Sequence, residues 1–202
     1  MSQVVEKAPY GEYLVMCNGL QCDGFLEWVF HPGMLFGSVG KWWGGGGTRG
    51  RPHEGLDVAL FRDASGRMRR VEAGTLVPAL YGGEVVRMGP DYLGDLAFVR
   101  HEIDDGHGST LHTIYGHIRV DDHIRRLVRV NAGKVIGCVS DRGLRGGKAP
   151  AHLHITAAWI PNSLPPEKMS WKEVGALGPE ALLNPLDLME SRKAIEDLPR
   201  QM

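Results

Sequence analysis

Three groups of residues in this chain combine types and spacings suited to metal chemistry. The first is His53-Glu54-Gly55-Leu56-Asp57, with a histidine and an aspartate four apart. Residues an even number apart on an extended chain project from one side, so both side chains can address the same point. The second is His152-Leu153-His154, inside the apolar run AHLHITAAWI. On a strand both rings point the same way while Leu153 packs behind them. Two imidazoles on the inward face of a strand are costly unless something uses them. His117, at the end of TIYGHI, is the third place.

Neutral imidazoles together with a carboxylate suit zinc, which in catalytic centres takes three protein ligands and leaves a fourth position for water. His53, Asp57 and one member of the 152/154 pair make such a set. The spare imidazoles are then free for proton transfer or for steadying an oxyanion. His53-Glu54 also opens like the helical zinc-protease motif His-Glu-x-x-His. Position 57 is Asp, however, Gly55 sits in the middle, and nothing around it reads as a long helix. Glu54 therefore reads as a surface residue. His31, His101, His107, His112 and His123 read as solvated or locally satisfied. An odd separation from His117 puts His112 on the opposite strand face.

The elements that must hold these residues are short strands. From Leu56 to Ile160 apolar runs alternate with Gly-, Asp- or Asn-bearing turns, the pattern of an antiparallel β domain. The clearest hairpin is GDLAFVRHEI–DDGHGS–TLHTIYGHI, and Tyr115 within it reads as core. A share of 28 glycines in 202 residues favours tight turns over a helical bundle. Gly44 to Gly47, behind Trp42 and Trp43, cannot be regular structure and reads as a loop. Residues 1–23 show no strong period. DDHIRRL reads as a helical turn, GPEALL as the start of a short helix, and the stretch after Pro185 as a charged last helix.

Composition excludes several classes. The charges are 23 basic against 24 acidic, a net of −1, which rules out a polycationic nucleic-acid binder. No apolar run approaches the length of a membrane-spanning helix. The opening MSQVVEKAPYGEYLVMCNGLQCDGFLEWVF has no basic head followed by an apolar stretch, so no secretory signal is expected in it. Cys17, Cys22 and Cys138 are too few for a disulfide scaffold; Cys17 and Cys22 pair or all three stay free.

The ordered set HEGLD, YGH and HLH, with VRVNAGKVIG between the last two, resembles the M23 family of lysostaphin- and LytM-type zinc endopeptidases. NPLDL at 184–188 resembles the Asn-Pro segment that follows the core in many members. The resemblance implies a mainly β fold, with an antiparallel sheet core, a narrow groove and short C-terminal helices. It implies a lead-in and groove wall over 1–49, a peptidase core over 50–162 and a partly helical extension over 163–202. His53, Asp57 and His154 match the zinc ligands, and His117 and His152 the two non-ligand histidines of the active site. The implied reaction is hydrolysis of peptide bonds in peptidoglycan, in the periplasm or cell wall, without nucleic acid as a partner. The alternative is a catalytically silent module of the same fold that binds cell wall or activates another hydrolase.

One departure stands out. Several members carry a tyrosine shortly before the first histidine, whereas WWGGGGTRGRP offers only Thr48 and Arg49 as nearby polar groups. Arg142, Arg145 and Lys148 stand in the glycine-rich loop before HLH and are candidates to line the groove and meet stem-peptide carboxylates. A rival enzyme reading pairs His154-Ile155-Thr156 with His107-Gly108-Ser109 as a two-histidine phosphodiesterase, but it leaves HEGLD unexplained.

Overall fold

The computed structural model describes residues 4–142 and 149–198. Arg145 and Lys148 lie outside the described residues. One helix, α1 (Tyr10–Cys17), precedes β1 (Phe25–Phe30). The strands β2 (Leu56–Val58), β3 (Leu60–Asp63), β4 (Met68–Arg70), β5 (Leu76–Pro78) and β6 (Gly83–Asp91) follow. Then come β7 (Gly94–Asp104), β8 (Ser109–Val120), β9 (Arg129–Val130), β10 (Val135–Val139) and β11 (Leu153–Pro161). The C-terminal part holds α2 (Trp171–Val174), β12 (Leu182–Leu183), α3 (Pro185–Leu188) and β13 (Lys193–Ile195).

The expected antiparallel β core is present. The larger sheet runs β12-β11-β8-β7-β6-β9, with β2 added beside β11 and β10 bridging β8 and β5. Its centre is the hairpin read from the sequence, β7 against β8. Asp105 makes the turn, its Oδ1 accepting from His107 N at 2.7 Å and Ser109 N at 2.9 Å. Gly106 and Gly108 supply the positive φ angles there, 72° and 95°. The smaller sheet runs β13-β1-β3-β4.

Period-2 alternation divides the larger sheet into two faces. On one face Tyr115, Ile155 and Ala157 pack with Trp28, Phe30 and Phe61 of the smaller sheet in the main core. The Tyr115 hydroxyl accepts from Leu80 N at 2.6 Å, which satisfies the one polar atom it buries. On the other face Phe98, Ile114, Ala158 and Ile160 pack beneath Met169 and Val174. The segment after β11 thus roofs one end of this second face, and the other end stays open as a cavity.

The tail departs from the sequence reading. SRKAIEDL forms no helix; β13 within it pairs in parallel with β1 at the edge of the smaller sheet. Strand pairing overrides helix propensity here: Trp28 N donates to Arg192 O at 3.0 Å and Glu196 N to Phe30 O at 3.0 Å. The Arg62 guanidinium, 2.6 Å from carboxylates of both Glu27 and Glu196, ties the edge across its surface. GPEALL holds only a 3₁₀ turn at Pro179–Ala181 before β12. DDHIRRL makes two turns, Ile124 N to Asp121 O and Val128 N to Arg125 O, instead of a helical one. Conversely, α1 lies in the segment without a period, because only Tyr10, Gly11 and Leu14 of it are buried. All three cysteines are free thiols.

Candidate metal centre

Asp57 and His154 meet because β2 pairs antiparallel with β11 and sets them opposite each other. Gly55, just before β2, makes that approach possible. A Cβ there would lie 2.2 Å from Ile155 O and 2.8 Å from His154 Nε2, so any larger residue would push β2 away. His53 precedes the strand and is pinned by two backbone bonds, its N to Ser38 O at 2.9 Å and Gly37 N to its O at 2.8 Å.

Three donor atoms converge at this point. His53 Nε2 lies 3.2 Å from Asp57 Oδ1, His154 Nδ1 lies 2.9 Å from the same oxygen, and the two ring nitrogens are 3.1 Å apart. Tetrahedral zinc with bonds of roughly 2.0–2.1 Å would hold its ligand atoms about 3.3 Å apart, so the spacing fits with little movement. The rings are oriented from behind. His53 Nδ1–H donates to Leu35 O at 3.1 Å, which leaves its Nε2 lone pair facing the centre. The Thr156 hydroxyl, 3.0 Å from His154 Nε2, is the acceptor needed once Nδ1 gives its lone pair to a metal.

Asp57 Oδ2 is held from the other side by Trp42 Nε1–H at 2.7 Å and by Arg49 at 3.3 Å. Arg49 itself donates to Gly33 O at 2.7 Å and to Gly40 O, and its guanidinium lies 4.8 Å from the Trp43 ring. The loop before His53 therefore supplies no tyrosine but braces the carboxylate with an indole and a guanidinium.

Electrostatics match the donor set. Burial alone would raise the Asp57 carboxyl, yet His152, His154 and His53 around it hold it well below the usual carboxylate range. Burial pushes His152 down to about 4, against the attraction of Asp57. Burial lowers His154 too, opposed by its hydrogen bond to Asp57. The result at neutral pH is an ionised Asp57 carboxylate beside the neutral imidazoles of His152 and His154, the protonation state in which such groups ligate a metal. Among the described residues, His53, Asp57 and His154 are the group whose ligand atoms lie close enough to share one ion.

His152 and His117 stand beside this group. Nδ1–H of His152 donates to Pro150 O at 2.8 Å, so its Nε2 is an acceptor, 3.6 Å from Asp57 Oδ1. The His117 ring lies 4.8 Å from that of His152, centroid to centroid. Plain strand alternation would have sent His117 into the core behind Tyr115. A bulge prevents this: Asp95 pairs with Ile118 and Ala97 with Tyr115, so β8 carries one extra residue between them. His117 takes the left-handed conformation, φ 61°, which costs a residue with a Cβ about 1–2 kcal/mol. That turn re-aims the ring into the cavity. It also overturns the expected opposition of His112 and His117, which assumed a regular strand.

The backbone N–H of His117 donates to Asp91 Oδ2 at 2.8 Å, and its Nδ1–H bonds the same oxygen. Trp171 Nε1–H donates to Asp91 Oδ1 at 2.9 Å. Burial would raise Asp91, but the bond and charge of His117 and the backbone N–H groups of Tyr92 and His117 bring it down to about 2. Sequence reasoning missed Asp91 and Trp171, and it met Arg49 only as a nearby polar group and Trp42 only as a neighbour of the glycine loop; for Asp91 the turn Asp91-Tyr92-Leu93-Gly94 was the one local signal available. The cavity over these residues has a volume of 670 Å³, and Trp43, Arg51, Tyr92 and Lys172 line its walls. Arg142 stands elsewhere, donating to Gly94 O at 3.2 Å. His107-Gly108-Ser109 sits in the β7–β8 turn at the far end of β8 from His154, which removes the phosphodiesterase reading.

The sequence model of peptidase family M23 matches residues 51–165, more than half of the chain. The chain belongs to peptidase family M23. No curated protein matches it in sequence. Among solved structures it is similar to a putative M23 peptidase from Pseudomonas aeruginosa, with 28% identity over 53% of this chain and 38% of that one, TM-score 0.37. It is also similar to lysostaphin in solution, with 21% identity over 69% of this chain and 44% of that one, TM-score 0.43. For the catalytic domain of lysostaphin from Staphylococcus simulans the identity is 17%, the coverage 87% and 94%, and the TM-score 0.42. The chain thus spans less than half of the first two structures it matches. These superpositions are partial, and membership of M23 stands on the sequence match. That match ends at residue 165, so Trp171 reaches the M23 site from beyond it. No helix among the described residues is long and apolar enough to cross a membrane.

Proposed function

We propose that this M23 chain is a zinc-dependent endopeptidase that hydrolyses peptide bonds in peptidoglycan stem or cross-bridge peptides. The observation that carries the reading is the convergence of His53 Nε2, Asp57 Oδ1 and His154 Nδ1 within 3.2 Å of one another, with two further imidazoles beside them. The chemistry supplied by zinc at such a centre is Lewis acidity, toward a water nucleophile and toward the scissile carbonyl. His53, Asp57 and His154 would hold the ion. His152 is assigned as the base: its Nε2 accepts a proton from the attacking water and returns it to the leaving amine. His117 is assigned to the carbonyl oxygen, which gains negative charge as the tetrahedral species forms. The Asp91 carboxylate behind it stabilises the positive charge that the ring takes on. Peptidoglycan as substrate follows from the family resemblance.

The test is a digest of isolated peptidoglycan by the purified protein, with and without a chelator, products weighed by mass spectrometry. The expected result is chelator-sensitive loss of cross-linked species, and the fragment masses name the bond. Metal bound in full with no fragment released would instead favour a silent module.

A further inference from the structure

Asp91 is a buried carboxylate, and among the described residues no lysine or arginine forms an ion pair with it. Its side chain is 0% exposed, and its ion-pair partner among the described residues is His117. N–H groups meet its acceptor sites: the backbone and ring of His117 on Oδ2, the Trp171 indole on Oδ1, and the backbone of Tyr92. Burying a carboxylate is expensive unless its lone pairs are met, and here they are met by the residue whose backbone is strained. Gly116 makes room for the arrangement. A Cβ there would lie 3.1 Å from Trp171 Cζ2 and 3.4 Å from Asp91 Oδ2.

We propose that Asp91, backed by Trp171, is the positioning residue of His117: one carboxylate oxygen fixes the ring tautomer and also ties down the left-handed backbone that aims the ring into the cavity. This rests on the hydrolytic reading of the site. A carboxylate oxygen only accepts, so Nδ1 must carry the hydrogen, and Nε2 is the atom presented to substrate. In that tautomer Nε2 holds a lone pair; once it takes up a proton from solvent, the imidazolium, paired with the Asp91 carboxylate, donates Nε2–H to the developing oxyanion and keeps Nδ1–H on Asp91. Trp171 holds the second oxygen, so the segment beyond residue 165 takes part in setting the geometry.

Two measurements test the assignment separately from the reaction. Nitrogen NMR of histidine-labelled protein reads the tautomer, with the His117 signals identified by their loss in His117→Asn. Nδ1 of His117 should be protonated in the wild type, and in Asp91→Ala the ring should revert to the Nε2–H form. Asp91→Asn keeps the shape but removes the charge and one acceptor. It should retain metal while kcat on a soluble peptidoglycan fragment falls roughly 10- to 100-fold, with KM near the wild-type value. Trp171→Phe should give a smaller, several-fold loss. A His117 ring still protonated at Nδ1 in Asp91→Ala, or full kcat in Asp91→Asn, overturns the proposal. Wild-type protein without turnover would refute the hydrolytic reading instead, and the tautomer measurement would still decide this one.

Discussion

The two ends of β8 both bury histidines, and they bury them to different effect. Toward its C-terminal end, His117 meets the rings of His152 and His154, and His154 Nδ1 and His53 Nε2 converge on the Asp57 carboxylate. Toward its N-terminal end lie His101 on β7 and His112 on β8, 1% and 2% exposed. Nδ1–H of His101 donates to Gly82 O at 2.9 Å, and its Nε2 accepts from the Thr113 hydroxyl at 2.9 Å, so nothing is left over. His112 spends Nδ1 on Thr110 O at 2.9 Å. Burial lowers both to about 4, as it does His152. Depth and a depressed pKa therefore do not single out the site. What separates the two ends is direction: at one the ring nitrogens turn to separate neighbours or to none, at the other His53 Nε2 and His154 Nδ1 turn with Asp57 Oδ1 to one point.

The harshest way to break that contrast is to remove a converging group. His53→Ala, Asp57→Ala and His154→Ala should each lose bound metal, measured by elemental analysis, and drop peptidoglycan release to background. A variant that binds metal in full would show that the convergence is incidental. Next in size are His117→Ala and His152→Ala, which should keep the metal and lose about 10²- to 10⁴-fold in turnover. Full activity in His117→Ala would undo the division between ligand and non-ligand imidazoles.

That division was partly legible in the sequence, because it rests on local spacing. His53 and Asp57 lie on one short segment, and His152 and His154 on another, so each pair could be read without the fold. Choosing His154 over His152 needed either a resemblance or the register of β2 on β11, which spacing alone does not give. Asp91 stayed hidden because its bond to His117 spans 26 residues and no periodic pattern marks it. Trp171 is farther still and lies in a tail read for helices, not for a site. The bulge at Gly116–His117 was invisible for a related reason: alternation assumes a regular strand, and one extra residue reverses its answer. Likewise SRKAIEDL has the composition of a helix, and only the free edge of β1 makes it a strand.

The smallest predicted effect concerns the satisfied end and appears in stability, not turnover. His101 and His112 have folded pKa values of about 4, below the ordinary 6.5 they regain on unfolding. Between those values the unfolded chain binds protons that the folded chain refuses. Each ring's contribution is therefore complete above pH 6.5 and lost as pH falls toward 4. A gap of 2.5 pH units, 6.5 minus 4, corresponds to on the order of 3 kcal/mol per ring as an upper bound. Urea unfolding of the metal-free protein at intervals across that range should show the decline, and His101→Gln should make it shallower. All other groups are common to the two proteins, so the difference between the two curves isolates His101. His112→Gln should act the same way, with a smaller penalty at neutral pH, because the buried His112 Nε2 has no hydrogen-bond partner among the described residues. Identical curves for wild type and both variants would mean that these rings take up protons without unfolding the sheet. The two ends of β8 would then differ in geometry alone.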